Sequence, residues 1–449
     1  MHQRLVTEER VDGVVPTIAF KRLVQPLLGK MLQPTQGSPD EILVHYLKAG
    51  HVGWGRLDLP EELPKMWATE TDISMLHPKV GDLLICEGGE VGRATVIGKP
   101  LPPTAIIQNS LHLVRQSQSA DVRYLRYALE HAALSGWLDI LCNKATIAHL
   151  TGDKLRDLQI PFHAASEQTR IANFLDEQTA RIDALIAEKE RLDGLLGEYR
   201  ASLISAAVTG QFEVATGDVF PGAYEGGCGT TKAVFGRKLP PNWRQMRLRH
   251  IARFISGGTP SKSNSMFWQG QIPWFSPKDF SSGVLADSED HISAEAVEAS
   301  ATTMLPAGTP VFVVRSGILR HTIPIALLDV DGCINQDVKG VLLKDELIPR
   351  YFVYVVQGFQ GELIDEWTKQ GATVESIEQQ FVDNTCFPVP SRQDQTRIAS
   401  FLDEKTARID DLRSHCKEHI SLLREYRASL VSAAVTGQLD IDSFKRGAA

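Results

Sequence analysis

The sequence predicts an α+β protein in which two globular heads are joined by two long helices, and an internal repeat is the main basis for that prediction. Residues 168–211 have the sequence QTRIANFLDEQTARIDALIAEKERLDGLLGEYRASLISAAVTGQ, and residues 395–438 have the sequence QTRIASFLDEKTARIDDLRSHCKEHISLLREYRASLVSAAVTGQ. The copies align without a gap (395 − 168 = 227) and are identical at about two thirds of positions, and such repetition reports architecture directly. The stretches before the copies show no such likeness, so we expect one duplicated scaffold carrying two different heads.

Each repeat has the pattern of a long helix. About 40 residues at a rise of 1.5 Å give a rod of roughly 60 Å. Apolar residues recur in two lines of seven-residue spacing, the second offset by three from the first. The two lines are Ile182, Lys189, Leu196, Leu203 and Leu185, Leu192, Tyr199, Ala206 in the first copy, and Ile409, Cys416, Leu423, Leu430 and Leu412, His419, Tyr426, Ala433 in the second. Neither helix can bury these lines alone, so we expect an antiparallel coiled coil with pseudo-twofold symmetry.

The ends of both helices also have sequence signals. Ser391 followed by Asp394 is typical of a helix start, and Gly210 and Gly437 fall where a C-terminal cap glycine belongs. The heads between them combine short apolar runs with turn residues, and helices are expected near 121–141 and 350–368. The predicted segments are a first head (1–165), a first spacer helix (166–211), a linker (212–239), a second head (240–390), a second spacer helix (391–440) and a tail (441–449).

Length and composition restrict the class of protein. A chain of 449 residues is too long for one compact core. No run approaches the roughly 18 apolar residues of a membrane span, and the polar N-terminus lacks a signal peptide, so we expect a cytoplasmic protein without a membrane partner. Six cysteines without a CxxC pair indicate reduced thiols and no metal site. The net charge of −8 argues mildly against a free-standing nucleic-acid binder.

Several motifs together resemble one known family. QTRIANFLDEQTARID and its second copy, each followed by EYRASLxSAAVTGQ, resemble the conserved regions of the specificity subunit of type I restriction-modification systems. LPPNWRQMRLRHIARFISGGTPSKSNSMFWQGQIPW is similar to the start of that family's target-recognition domains, and VRSGILRHTIPIALLDVDGCINQDVKG to their later strand-and-loop pattern. The first head departs from the family pattern, because it has TIAFKRL at residues 17–23 in place of an LPxxW-type opening.

The resemblance implies a DNA-recognition subunit without a catalytic site. Each of two target-recognition domains would read one half of a split, asymmetric sequence in double-stranded DNA. The helices would set the spacer and dock two modification (methyltransferase) subunits. Those subunits bind S-adenosylmethionine and methylate adenine, and restriction (translocase and nuclease) subunits add ATP-driven translocation and cleavage. S-adenosylmethionine, ATP and Mg are therefore expected on the partners and no cofactor on this chain.

Polar side chains in both heads are candidates for DNA contact. Small residues in the loop 256–262 let phosphate approach the backbone, and Arg, Asn and Gln can bind base edges bidentately. The candidates are Lys48, Trp54, Arg56, Arg93, Gln108, Asn109, Gly257, Gly258, Thr259, Ser261, Lys262, Arg315, Arg320, His321, Asn335, Gln336 and Lys339. For each of them an ordinary structural role is the alternative, and we expect Trp268 and Trp274 to pack internally. The segment EGGEVGRA lacks βαβ context, so we interpret it as a loop with Arg93 facing DNA and not as a dinucleotide site.

Two other classes of function are alternatives. A self-sufficient adenine methyltransferase needs a (D/N)PPY-like motif and an ATP-binding protein needs GxxxxGK[ST], and the sequence contains neither. Acidic-x-Lys triplets of the kind nucleases use occur at 337–339 and 403–405, where chance explains them. A scaffold whose heads bind protein is favoured by the net charge and opposed by the family motifs. Salt dependence would separate it from a DNA binder.

Overall fold

A computed structural model describes residues 15–115, 117, 120–142, 149–211, 214, 239–240, 242–280, 283–368 and 375–447. The chain divides into two compact units, Met1–Glu190 with Glu418–Ala449 and Arg191–Lys417. Each unit therefore contains one head and a part of each long helix. The linker predicted at 212–239 lies outside the described residues apart from Val214 and Leu239, and so does Cys228.

The first head is a set of small sheets with helices on their faces, as its short apolar runs predicted. Its strands are β1 (Thr17–Ala19), β2 (Leu27–Leu28), β3 (Ile42–Leu47), β4 (Val52–Gly53), β5 (Arg56–Leu57), β6 (Lys65–Ala68), β7 (Leu83–Cys86), β8 (Ala94–Val96), β9 (Ile106–Ile107), β10 (Leu111–Val114) and β11 (Gln159–Pro161). Its helices are α1 (Glu70–Leu76), α2 (Val122–Leu134), α3 (Trp137–Cys142) and α4 (Gly152–Asp157), and α5 (Ala165–Val208) follows. The sheets have the orders β2-β10-β7-β8, β6-β3-β9, β1-β11 and β4-β5, with β3 and β9 parallel.

The second head repeats this mixture of strands and helices. Its strands are β12 (Arg244–Arg247), β13 (Ala252–Ser256), β14 (Ile272–Phe275), β15 (Val284–Leu285), β16 (His291–Ile292), β17 (Met304–Leu305), β18 (Pro310–Val313), β19 (Ile325–Leu328), β20 (Gly332–Ile334), β21 (Val338–Leu343) and β22 (Cys386–Val389). Its helices are α6 (Leu248–Ile251), α7 (Ala294–Glu298), α8 (Pro349–Gly358), α9 (Gln360–Trp367) and α10 (Gln379–Asn384), and α11 (Arg392–Val435) and α12 (Ile441–Gly447) follow. The sheets have the orders β13-β21-β18-β19-β15, β16-β14-β20-β17 and β12-β22, with β14 and β20 parallel.

Both helices predicted inside the heads are present, but each is divided in two. The helix expected near 121–141 is interrupted at Gly136, whose φ of 73° lies in the left-handed region that only glycine adopts easily. The helix expected near 350–368 is interrupted at Phe359, which is fully buried between α8 and α9. The residues predicted as a tail instead form α12, where the ring of Phe444 packs edge-on against Phe174 at 5.2 Å.

The long helices pair in an antiparallel order, as predicted. In the first unit, Ile182 of α5 shares one hydrophobic core with Leu430 near the end of α11. In the second unit, Ile204 near the end of α5 shares a core with Leu402 near the start of α11. The start of one helix thus lies beside the end of the other. Both helices end as predicted, because Gly210 and Gly437 follow them with φ of 68° and 71°.

The first predicted line of residues is the buried one, and the second is not. Ile182, Ile409, Cys416 and Leu430 are buried, and Leu196, Leu203 and Leu423 are partly buried. Members of the second line are exposed instead, to 46% for Leu185, 40% for Leu192, 59% for Tyr199, 46% for Leu412 and 48% for Tyr426. The prediction that these five residues pack between the helices is therefore wrong.

The true second line is offset by four residues and contains charges. It consists of Ile186, Asp193, Arg200 and Ala207 in α5 and of Arg413, Ile420, Arg427 and Ala434 in α11. Four of its members are ionised, and each forms an ion pair with the other helix. An apolar periodicity cannot detect such positions, because the charged side chains are accommodated by pairing and not by hydrophobicity.

The first head begins with the same strand pairing as the second, although it lacks the LPxxW-type residues. β1 pairs antiparallel with β11, as β12 pairs with β22. The N–H of Phe20 then donates to the carbonyl of Leu158 at 2.9 Å, and the N–H of Leu248 donates to the carbonyl of Thr385 at 3.0 Å. The segment TIAFKRL at 17–23 is thus the structural counterpart of the second head's opening strand.

Candidate nucleic-acid interface

Each head contains an equivalent pair of parallel strands, and the loops that follow them meet. The N–H of Gln108, after β9, donates to Leu47 O at the end of β3 at 2.9 Å. The N–H of Asn335, after β20, donates to Phe275 O at the end of β14 at 2.9 Å. Gln108 and Asn335 are separated by the repeat offset (335 − 108 = 227). The crevice outside the carboxyl ends of parallel strands is a common ligand position, so we name residues 108–110 and 335–337 the amide loops.

The amide loop of the first head is tied to the loop after β3. The hydroxyl of Ser110 accepts a hydrogen bond from Ala49 N at 3.1 Å and donates to the side chain of Gln108 at 3.1 Å. Lys48 lies in the same neighbouring loop, is exposed, and makes no side-chain hydrogen bond or ion pair within the described part of the chain. The predicted candidates Lys48, Gln108 and Asn109 are therefore brought together.

The amide loop of the second head borders a cavity of about 480 Å³. Asn335 is buried, and its side-chain oxygen accepts from Asp337 N at 2.9 Å, which fixes the turn. Gln336 is exposed, and its side chain accepts a hydrogen bond from the Thr259 hydroxyl. Lys262 lines the cavity and forms no hydrogen bond or ion pair with the described residues. One amide and one cation thus face the cavity beside a structural asparagine.

Lys278 is a further cation in this cavity that the sequence did not single out. It follows β14 and forms ion pairs with Glu289 and Asp290, both at 2.9 Å. The hydrogen bonds to Asp290 and Glu289 raise the pKa of Lys278, so the group is charged at neutral pH. Lys278 lies three residues after β14, in the loop equivalent to the one that carries Lys48 after β3, and that loop position is the signal that could have identified it.

Gly257 and Gly258 serve the packing of the backbone, which corrects their assignment to phosphate binding. A Cβ on Gly257 would lie 2.0 Å from Ile334 O, so only glycine fits there. The N–H of Gly258 donates to Ile334 O at 3.0 Å, and its carbonyl accepts from Trp274 Nε1 at 2.9 Å and from the Thr302 hydroxyl at 2.6 Å. The N–H of Gly258 is therefore already used within the head.

Trp268 and Trp274 of the second head pack internally, as predicted. Their rings lie edge to face with centroids 5.0 Å apart, and Trp274 is buried. Trp268 Nε1 donates to Ser261 O at 3.2 Å, and the Ser261 hydroxyl bonds to that of Ser263 at 2.8 Å. These contacts stabilise the loop that carries Lys262.

Comparisons with known proteins find that part of this chain is similar to type I specificity subunits. Residues 240–421 match the model described as type I restriction modification DNA specificity domain. The chain is 37% identical over 158 residues to the specificity subunit of the type I restriction enzyme EcoR124I/EcoR124II of Escherichia coli. It is 25% identical over 199 residues to the specificity subunit of the type I restriction enzyme MjaIX of Methanocaldococcus jannaschii. Residues 240–421 of this chain therefore match a type I restriction modification DNA specificity domain.

The extent of these matches differs between sequence and fold. The two sequence matches cover 35% and 43% of this chain and only 39% and 44% of the relatives. A chain from a solved structure concerning complex assembly of the type I R-M system has a TM-score of 0.68 at 16% identity. That superposition covers 96% of this chain and 100% of the other, so the two chains share a fold over nearly their whole length.

Other candidate cations in the second head have different environments. Arg315 and His321 are exposed and make no side-chain hydrogen bond or ion pair with the described residues. Arg320 instead donates to Glu375 at 2.6 Å. Lys339 is partly buried, donates to an amide oxygen of α10 at 2.5 Å, and has its pKa lowered by burial. Arg315 and His321 are therefore the better-placed members of this predicted cluster.

Arg93 in the first head is used internally, which corrects the prediction that it faces DNA. Its guanidinium donates to Glu90 at 3.1 Å and to Ala49 O at 2.9 Å. Trp54 Nε1 donates to the same Glu90 carboxylate at 2.6 Å. Arg93 and Trp54 thus fasten the loop after β7 to the loop after β3. The sequence could not anticipate this, because these residues lie about 40 positions apart and meet only in the folded head.

The sequence also places a basic and aromatic strip at Lys48, His51, Trp54 and Arg56, and most of this strip has little free charge. Burial and the nearby Lys48 lower the pKa of His51, so this histidine is neutral at pH 7. Arg56 forms an exposed ion pair with Asp58 at 2.8 Å. Lys48 is the member of the strip whose cation is unpaired within the described residues.

A polar network attaches the first head to α5. Tyr127 of α2 donates to Asp176 at 2.9 Å and bonds to the Thr179 hydroxyl at 3.0 Å. Arg123 forms an ion pair with Asp176 at 3.0 Å. Gln168, which is fully buried, accepts from the backbone at the start of α2 at 3.1 Å. Four consecutive turns of the repeat helix are thus connected to the head.

The second unit repeats this network residue by residue. Tyr354 donates to Asp403 at 2.6 Å and bonds to Thr406 at 3.3 Å, and Arg350 pairs with Asp403 at 2.5 Å. Gln395 accepts from the backbone before α8 at 2.9 Å. Each residue lies 227 positions after its counterpart, so the duplication extends into the heads through the pattern RYxxY. The expectation that the stretches before the two repeats show no likeness is therefore wrong at this point. The likeness is not evident in sequence, because two tyrosines and an arginine are too few to stand out.

The first unit also contains a buried ionic cluster without a counterpart in the second. Glu130 pairs with Arg427 and lies 3.3 Å from Arg126, and Arg427 also pairs with Asp183 at 2.8 Å. Burial alone would lower the pKa of Arg427, but Glu130 and Asp183 outweigh it and the pKa is raised. At the position equivalent to Glu130 the second unit has Gln357, whose side-chain oxygen is buried without a hydrogen-bond partner among the described residues.

The described residues contain few other features of functional interest. No helix among them is long and apolar enough to cross a membrane. They include no group of three or more His, Cys, Asp or Glu side chains that could hold a metal ion. The five cysteines in the described ranges are free thiols.

Proposed function

We propose that this chain is the specificity subunit, the non-catalytic DNA-recognition component, of a type I restriction-modification complex. Each head reads one half of a split, asymmetric site in double-stranded DNA, and the two long helices set the spacer. The helices also dock two modification subunits, and restriction subunits join the full complex. S-adenosylmethionine, ATP and Mg would belong to those partners, which would act in the cytoplasm.

The amide loops are the main support for the proposal that the two heads read DNA. They occupy equivalent positions in the two heads but present different sequences, Gln-Asn-Ser at 108–110 and Asn-Gln-Asp at 335–337. Asn and Gln amides can bind adenine bidentately in the major groove. An unpaired lysine, Lys48 or Lys262, lies beside each loop and can hold the phosphate backbone. One scaffold with two different amide loops suits a site with two different halves.

Mapping of methylated adenines tests this proposal. Cells making this chain with its modification subunit should show a split motif that is lost without the chain. Asn109→Ala should relax one half of the motif and Gln336→Ala the other. The matched control is Gln393→Ala, an exposed glutamine at the start of α11, which should change neither half. An unchanged methylation map, with the modification subunit active and bound, would overturn the proposal.

Salt dependence separates DNA recognition from a protein-binding scaffold. A complex held by several phosphates should weaken steeply as salt is added. In a plot of log K against the logarithm of the salt concentration, each contacted phosphate should contribute a slope of about −0.9. Lys262→Ala should reduce that slope by about one and weaken all DNA sequences alike. Binding that is insensitive to salt, or a protein ligand that binds the heads more tightly than DNA, would favour the scaffold.

The exposed apolar faces of the long helices support docking of two identical partners. Leu195 and Tyr199 of α5 are exposed, and so are their counterparts Leu422 and Tyr426 of α11. Leucines in both helices at positions 185 and 412 are also exposed. The same apolar residues stand at equivalent positions of a duplicated helix, so each face offers the same surface, which is what two copies of one subunit require.

Native mass spectrometry tests this docking. Leu195→Asp should remove one modification subunit, Leu422→Asp the other, and the double variant both. Ser414→Asp, at an exposed position of α11, is the control and should leave both subunits bound. Retention of two subunits by the double variant would place docking elsewhere.

The spacer can be tested by lengthening both helices together. Seven residues inserted after Arg191 and after Glu418 (418 − 191 = 227) preserve the seven-residue packing. The insertion adds about 10 Å of helix. Since a base pair rises about 3.4 Å, the spacer should lengthen by about three base pairs while both half-sites stay the same.

A further inference from the structure

The ion pairs between the two long helices are of two kinds. One kind is the same in both units. Arg427 pairs with Asp183 at 2.8 Å, and Arg200 pairs with Asp410 at 2.9 Å. These are equivalent pairs (427 − 200 = 227 and 410 − 183 = 227), so either helix supplies the same arginine and the same aspartate.

The other kind exists in one unit only. Arg413 of α11 pairs with Asp193 of α5 at 2.8 Å, with both side chains at least two-thirds covered. The equivalent positions in the first unit are Ile186 and Ile420, of which the latter is buried. The hydrogen bond from Arg413 holds the pKa of Asp193 below its ordinary value, so the pair is ionised at neutral pH.

A second one-sided pair lies near the first. Arg424 of α11 pairs with Glu190 of α5 at 2.8 Å. The equivalents of these two residues are Gly197 and Lys417 (424 − 197 = 227 and 417 − 190 = 227). The two helices thus carry different residues at each of these four facing positions, although they agree at about two thirds of the repeat.

These differences matter if a helix meets a second copy of itself in the same antiparallel register. In a pair of two α11 helices, Ile420 takes the place of Asp193, and Lys417 takes the place of Glu190. Arg413 then faces isoleucine with no carboxylate, and Arg424 faces a like charge. Because such a pair is symmetric, each of these unfavourable contacts occurs twice. In a pair of two α5 helices, Asp193 and Glu190 lose their cations in the same way.

We propose that these one-sided pairs encode the choice of helix partner. The packing surface of α11 fits α5 and disfavours a second copy of α11, so the two halves of the chain pair with each other and not with their own kind. Charge pairs at the edge of a coiled coil set partner choice in this manner, by attraction to the right helix and repulsion of the wrong one. The inference concerns helix pairing alone and does not depend on DNA recognition.

The test uses the full chain with a protease site placed in the linker, so that the folded protein is cut and the tether no longer enforces pairing. Native mass spectrometry then counts pairs of unlike halves and pairs of like halves after mixing of differently labelled samples. Chance gives unlike and like pairs in equal number. We expect unlike pairs to exceed that ratio by about tenfold or more.

Two variants make the result decisive. Removing the one-sided pairs through Asp193→Ile with Arg413→Ile, together with Glu190→Lys and Arg424→Gly, gives both helices the same residues at these four positions, and the excess of unlike pairs should be lost. Asp193→Arg with Arg413→Asp restores a pair of reversed polarity and should keep unlike pairing, which excludes a mere loss of folding. The proposal is overturned if the cut native protein assorts by chance, or if the equalised variant still forms only unlike pairs.

Discussion

Replacing Glu130 by glutamine tests whether the buried ionic cluster stabilises the first unit. The Glu130 and Arg126 side chains are each only 7% exposed, and Arg427 is 17% exposed. Glutamine keeps the shape of Glu130 but leaves two buried guanidiniums with less compensating charge. Removing one partner of a buried pair costs about 3–5 kcal/mol. Arg427 retains Asp183 at 2.8 Å, so we expect a loss of about 3 kcal/mol.

Hydrogen exchange measures this loss of stability separately in each unit. The backbone amides of α2 should lose protection equivalent to about 3 kcal/mol, and those of α8 should be unchanged. The second unit is the internal control, because it already has an amide, Gln357, at the equivalent position. Asp58→Asn, in a pair whose side chains are more than half exposed, should cost less than about 1 kcal/mol. A change in α2 below about 1 kcal/mol, or an equal change in both helices, would refute the reasoning.

Three further predictions concern stability. Gln395→Ala should lower the free energy of unfolding of the second unit by about 1–3 kcal/mol in urea titration, because a part-buried backbone N–H loses its acceptor; no change would contradict that role. Gly257→Ala should destabilise the second head in thermal melting, since its Cβ would lie 2.0 Å from a carbonyl oxygen, whereas Gly283→Ala, with no neighbour within 4 Å, should not. Burial raises the pKa of Asp121, but Arg123 outweighs it and holds the pKa below 3.8, so the ionised group stabilises the fold above that pH. The cost of Asp121→Asn should therefore shrink as pH falls below about 4, and a cost that is constant with pH would contradict the ion pair.

The candidate site was only partly accessible from sequence. Gln108, Asn109, Asn335 and Gln336 were chosen for their amides, and the fold adds that they occupy equivalent positions after parallel strands. Arg93 was chosen for its charge, yet the fold uses that charge internally. A side chain's type limits what it can bind, but its partners come from segments distant in sequence, and only folding brings them within hydrogen-bond distance.

The sequence by itself determined the duplicated long helices, their ends, the two mixed heads and the resemblance to type I specificity subunits, because periodicity, cap residues and long motifs are local properties of the chain. Only the tertiary structure decided which helix face is buried. Leu185 and Tyr199 look like packing residues in sequence but are exposed, whereas Asp193 and Arg200 lie in the seam. The physical reason is that a charged residue can be placed in a helix interface when the facing helix supplies its counter-charge, and that partner is more than 200 positions away.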